Sequence, residues 1–82
     1  MARRLPIKSG HDVLRTFHRV KDIFGITFRR RGRGSHVVLH NRFCRNFAVP
    51  LHNELKNGTL MAIITDAGMT REDFLENDPG LS

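Results

Sequence analysis

The sequence predicts an α+β domain: a helix, three antiparallel strands, a second helix and a short helix after it. Three observations predict this. Val13, Leu14, Phe17, Val20 and Phe24 recur at three- and four-residue steps, the period of a helix with one buried face. Short alternating segments rich in β-branched residues then lie on either side of a glycine-bearing turn, "GRGS". A second helical stripe, Leu60, Ile63, Ile64 and Ala67, closes the pattern. The 82 residues fit one domain with one modest core, expected over about 8–75, with 1–7 and 76–82 as flexible tails.

Each element has its own local warrant. In "SGHDVLRTFHRVKDIFG", Ser9 is an N-cap, Asp12 places a carboxylate in the first turn and Gly25 is the stop. "ITFRRR" alternates as a first strand and "HVVLH" forms a second. "NRFC" turns the chain, and "RNFAVPL" is a third strand ending near Pro50, which has no N–H to give a ladder. Strands so close in sequence pair most easily as an antiparallel meander. "NGTLMAIITDAGM" is a helix capped by Asn57 or Thr59 and ended by Gly68. Thr70, three residues before Asp73, opens the short acidic helix of "TREDFLEN" with a capping box. Both longer helices carry one apolar stripe, so they cover one face of the sheet and leave the other open.

The charge is unevenly spread. Residues 1–45 carry twelve Lys and Arg against two acids, a net +10, whereas residues 46–82 carry two against six, a net −4. This polarity points to a polyanion on the basic part. The lone Cys44 excludes an internal disulfide and a cysteine zinc site, and is expected as a small buried hydrophobe rather than a nucleophile. It is compatible with a reducing compartment. No apolar run has the length of a membrane span, and the start has no signal-peptide hydrophobic region.

The stretch "RRRGRGSHVVLH" carries the chemistry. If the Gly32–Ser35 turn sets Arg31 opposite His36, then Arg30 faces Val37, Arg29 faces Val38 and Phe28 faces Leu39. One face collects Ile26, Phe28, Val37 and Leu39, a core face; the other collects Thr27, Arg29, Arg31, His36, Val38 and His40. By parity His52 falls on the open side if the third strand reaches it. Glycines let a backbone approach phosphate closely, and guanidinium groups grip phosphate with paired hydrogen bonds. Neighbouring cations favour a neutral imidazole, a competent general base. In RNA the proton to remove is on the ribose 2′-OH. A solvated histidine in a basic hairpin is the other reading of these residues. His36 and His40 lie roughly 13 Å apart along a strand, too far for one metal ion. "GRGS" is not a P-loop, because no Gly-Lys-Ser/Thr follows it. The acids of the last helix, Glu72, Asp73, Glu76 and Asp78, read as a solvated face.

Taken together, "RGRGSHVVLH", "FAVPLH" and "LKNGTLMAIITDAGMTREDFL" resemble the HicA-type (YcfA-like) toxins of bacterial toxin–antitoxin pairs, over about Lys8 to Leu75. The resemblance implies a fold like that of double-stranded-RNA-binding domains. It implies a cytoplasmic ribonuclease that cuts mRNA without the ribosome and uses no cofactor, with a HicB-type antitoxin covering the site. It assigns catalysis to His36 of the "GSH" element. Lys8, Arg29, Arg31, Arg33, Gly34 and Ser35 are then expected on RNA, and His52 of the "VPLH" element as a supporting or structural residue rather than as the acid. Met61 and His11 stand where such toxins often carry a basic residue and a lysine. The alternative is a non-catalytic RNA-binding module of the same fold.

Overall fold

A computed structural model describes residues 5–31 and 34–78. The order is α1 (Gly10–Phe24), β1 (Thr27–Arg31), β2 (His36–His40), β3 (Asn46–Pro50), α2 (Asn57–Asp66) and α3 (Arg71–Asn77). The strands form one antiparallel sheet in the order β1-β2-β3, as the meander predicts. The expected tails at 1–4 and 79–82 lie outside the described residues. Contacts reach past the expected 8–75 core on both sides: Leu5 packs against the core, and Asp78 is buried.

The caps of the first and last helices follow their local sequence. Ser9 accepts from the Asp12 N–H while the Asp12 carboxylate accepts from the Ser9 N–H, and Gly25 ends α1 in the left-handed conformation. Thr70 and Asp73 repeat the reciprocal pair at α3. The start of α2 differs from expectation. Its N-cap is Lys56, and no side chain closes that end, so neither Asn57 nor Thr59 caps it. The extended Lys56 backbone and the Leu60 N–H bond to the Lys56 carbonyl begin the helix one residue early.

α1 and α2 both pack on β3. Val13, Phe17 and Val20 of α1 meet Leu39, Phe47 and Val49 of the sheet and Leu60, Ile63 and Ile64 of α2 in one buried cluster. Phe17 lies at its centre, edge-on to Phe47 at 6.0 Å and to Phe74 at 6.3 Å, a favoured arrangement of aromatic rings. α3 is more than an acidic appendage: Phe74 and Leu75 are buried. Its acids are also not all solvated. Asp73 is half-buried in the cap, and Asp78 lies buried with its Oδ2 2.6 Å from Lys8 Nζ.

The β1–β2 register departs from the sequence reading at one residue. Phe28 faces Leu39 as predicted, but Arg30 faces Val38 and Arg31 faces Val37, with a bulge between Phe28 and Arg30. Arg29 is the extra residue. A bulge sets two residues of one strand against one of the other, so pairing beyond it shifts by one. Cys44 is a second departure. It is exposed rather than buried, and holds φ 63 in the turn after β2. Asn41 organises that turn: its Oδ1 accepts from the Phe43 and Arg45 N–H groups, and its Nδ2 donates to the Asp66 carbonyl at 2.7 Å. No helix of the described residues is long and apolar enough to cross a membrane.

Candidate nucleic-acid site

The site is built where three chain segments converge: the turn before β2, the end of β3 and the N-terminus of α1. Leu39 is buried and Val37 packs against the core, so alternation puts His36, Val38 and His40 on the opposite, open face. His36 is exposed, as the patterning predicts. Its ladder partner is Pro50, the residue that ends β3. Immediately beyond, the Leu51 N–H donates to the Ser35 carbonyl at 2.6 Å, tying the "GSH" turn to the "VPLH" segment. Gly34 holds φ 62 with open space around it, so this turn needs glycine for its conformation rather than for room.

That tie brings the two histidines together. The His36 and His52 rings are 6.3 Å apart between centroids and set edge-to-face at 73°. Both side chains are exposed. The His52 backbone is held from behind, because the Gly10 N–H donates to its carbonyl at 2.9 Å. Gly10 makes this approach possible: a Cβ there would lie 2.1 Å from the Pro50 carbonyl oxygen. Sequence reasoning missed Gly10. The signal was a glycine directly after a serine cap, where most residues serve a helix better. Parity placed His52 on the open side, but its contact with His36 depends on a turn beyond the strand.

The remaining predicted residues divide by position. The bulge makes Arg30, opposite Val38, the arginine on the histidine face, and places Arg31 with Val37 on the other; this corrects the pairing of Arg31 with His36 and of Arg29 with Val38. Arg29, Arg30 and Arg31 are all exposed. Gly34 and Ser35 are exposed beside His36. Arg33 and Gly32 lie outside the described residues. Lys8 does not stand bare: its ammonium is paired with Asp78, the side chains 12% and 3% exposed. His40 Nδ1 lies 2.9 Å from Asn46 Oδ1, which holds that ring at the far end of β2. Among the described residues no three His, Cys, Asp or Glu side chains gather as metal ligands.

Two hollows lie between these elements. One, of about 280 Å³, is lined by Pro50, His52, Glu54, Leu55, Lys56 and Thr59, between the end of β3 and the start of α2. The other, of about 540 Å³, runs between α1 and the outer strand β1 and is lined by His11, Leu14, Arg15, His18 and Phe28. The His18 and Phe28 rings are 6.0 Å apart in it. An exposed imidazole pair with guanidinium groups on the neighbouring strand suits a phosphodiester: ring nitrogens can give or accept a hydrogen bond, and guanidiniums hold non-bridging oxygens.

A family model described as the HicA toxin of bacterial toxin–antitoxin systems matches residues 12–69, which include His36, His52 and the arginines of β1. No curated protein and no solved structure matches the chain significantly. HicA toxins are generally ribonucleases, and each implies a cognate antitoxin as partner. The match spans well over half of the chain, so the protein belongs to the HicA toxin family.

Proposed function

We propose that the protein is an endoribonuclease that cuts mRNA independently of the ribosome and of metal ions, in the bacterial cytoplasm. His36 is its general base. The carrying observation is the exposure of His36 on the open sheet face, beside the Gly34–Ser35 turn, in a chain of this family. One ring nitrogen takes the proton from a ribose 2′-OH, and the 2′-oxygen attacks the adjacent phosphorus. Arg30 lies along the same face, and Arg29 and Arg31 flank it. Arg30 is suited to the non-bridging oxygens and to the charge that builds in the transition state, and its two exposed neighbours add to the local positive charge. A Lys8 contact to RNA requires this ammonium to exchange the Asp78 carboxylate for a phosphate. A cognate HicB-type antitoxin silences the enzyme by covering the His36 face, its carboxylates competing with RNA phosphates for the same arginines.

The test is cleavage of RNA in the presence of chelator. His36→Ala is expected to slow cutting by roughly 10²–10⁴-fold, the usual value of a general base. The products are expected to end in a cyclic 2′,3′-phosphate, and a single 2′-deoxy linkage is expected to resist. Equal cutting by wild type and His36→Ala removes His36 from the mechanism. A wild type that binds RNA without cutting it leaves a binding module, in which losing the arginines matters and losing His36 does not.

A further inference from the structure

A single base leaves the reaction half supplied. When the 2′-oxygen bonds to phosphorus, the bond from phosphorus to the 5′-oxygen breaks. That alkoxide is a poor leaving group unless it receives a proton. We propose that His52 donates it, so that His36 and His52 form an acid–base pair across one phosphodiester; this rests on the nuclease reading above. As the imidazolium, His52 passes its proton to the departing 5′-oxygen. The balanced products are a cyclic 2′,3′-phosphate and a 5′-hydroxyl, with one proton gained by His36 and one lost by His52.

Three observations carry the assignment. First, the rings are 6.3 Å apart and edge-to-face, so a phosphate resting against both can offer one apical oxygen to each. An in-line displacement places the entering and leaving oxygens on opposite sides of phosphorus, and this geometry calls for two separate groups. Second, the His52 backbone is held by the Gly10 N–H, and its neighbour Leu51 by the Ser35 carbonyl. A proton donor must be positioned before substrate arrives, and these bonds fix where the ring begins. Third, His52 lines a hollow that Lys56 and Thr59 also line and to which His36 does not contribute. The nucleoside carrying the 5′-oxygen leaves on that side, and Lys56 suits its next phosphate. The other imidazole of the sheet, His40, is at the opposite end of β2 and bonded to Asn46, which disqualifies it.

The experiment compares ordinary RNA with RNA whose scissile 5′-oxygen is replaced by sulfur, since a thiolate leaves without a proton. Full-length wild type, His36→Ala, His52→Ala and His52→Gln are assayed, with folding checked by circular dichroism; His52→Gln keeps a polar side chain at the site. Both His52 variants are expected to cut ordinary RNA roughly 10²–10⁴-fold more slowly and the sulfur substrate within about tenfold of wild type. They should also lose the alkaline fall of the pH–rate profile while keeping the acid one. His36→Ala should remain slow on both substrates. If the His52 variants are equally slow on both substrates, or unimpaired on ordinary RNA, His52 is not the donor although the nuclease reading stands. If His36→Ala matches an active wild type on both, His36 is not the base and the pair fails; if wild type cuts neither substrate, the nuclease reading fails, and the pair with it.

Discussion

At the scale of single residues, the site depends on groups that never touch a substrate. Gly10 is the sharpest case. A methyl group there collides with the Pro50 carbonyl, so either α1 or the end of β3 must move. Gly10→Ala is expected to cost about 1–3 kcal/mol of stability, the usual cost of overpacking, and to pull His52 away from His36. Thermal unfolding reads the first effect; the rate on ordinary RNA, lowered beyond what the stability loss explains, reads the second. Asn41 acts similarly at the other end of the sheet, where one buried amide satisfies two N–H groups of the turn and a carbonyl of α2. Asn41→Ala leaves those groups without that partner and is expected to destabilise by about 1–3 kcal/mol, measured by denaturant unfolding.

At the scale of elements, α1 depends on its capping box. The Asp12 carboxyl is held below its ordinary 3.8, first by the Ser9 N–H and then by the Arg15 side chain. The folded state therefore binds this proton less readily than the unfolded chain. The resulting stability is complete above the unfolded value and is lost as pH falls through the lower folded one. Asp12→Ala should thus cost about 1 kcal/mol at neutral pH and almost nothing in strong acid, a convergence seen by repeating urea unfolding down the pH scale. Elements of this kind were legible in the sequence. Ser9, Gly25 and the Thr70–Asp73 pair act within four residues of themselves, and Val37 and Leu39 declare which face of β2 is core. The bulge at Arg29 was not legible, because three consecutive arginines carry no alternation to mark a slip. The start of α2 was not legible either, since Lys56 begins the helix through its backbone alone. The same limit applied to the candidate site. His36 could be placed by alternation, whereas its neighbour His52 depends on a turn tied to α1.

At the scale of the whole molecule, the Lys8–Asp78 pair joins the segment before α1 to the residue after α3. Removing one partner of a buried pair costs far more than the pair itself contributes. Lys8→Ala is expected to lower stability by about 3 kcal/mol, which a melting curve reports without any RNA present. A loss of RNA affinity with unchanged melting would assign Lys8 to the substrate instead. The surplus of arginine on the sheet sets a further expectation: on single-stranded RNA, log affinity should fall with log salt by about 0.7 per phosphate neutralised, and Arg30→Ala should reduce that slope by about that amount.

The irregularity at Arg29 bears on more than register. β1 is a border strand, and a flat border strand offers its spare backbone groups to any neighbouring chain. Here the border is kinked, and Arg29, Arg30 and Arg31 repel another copy of themselves. Strand-to-strand pairing of a second copy along this border is therefore disfavoured by shape and by charge at once.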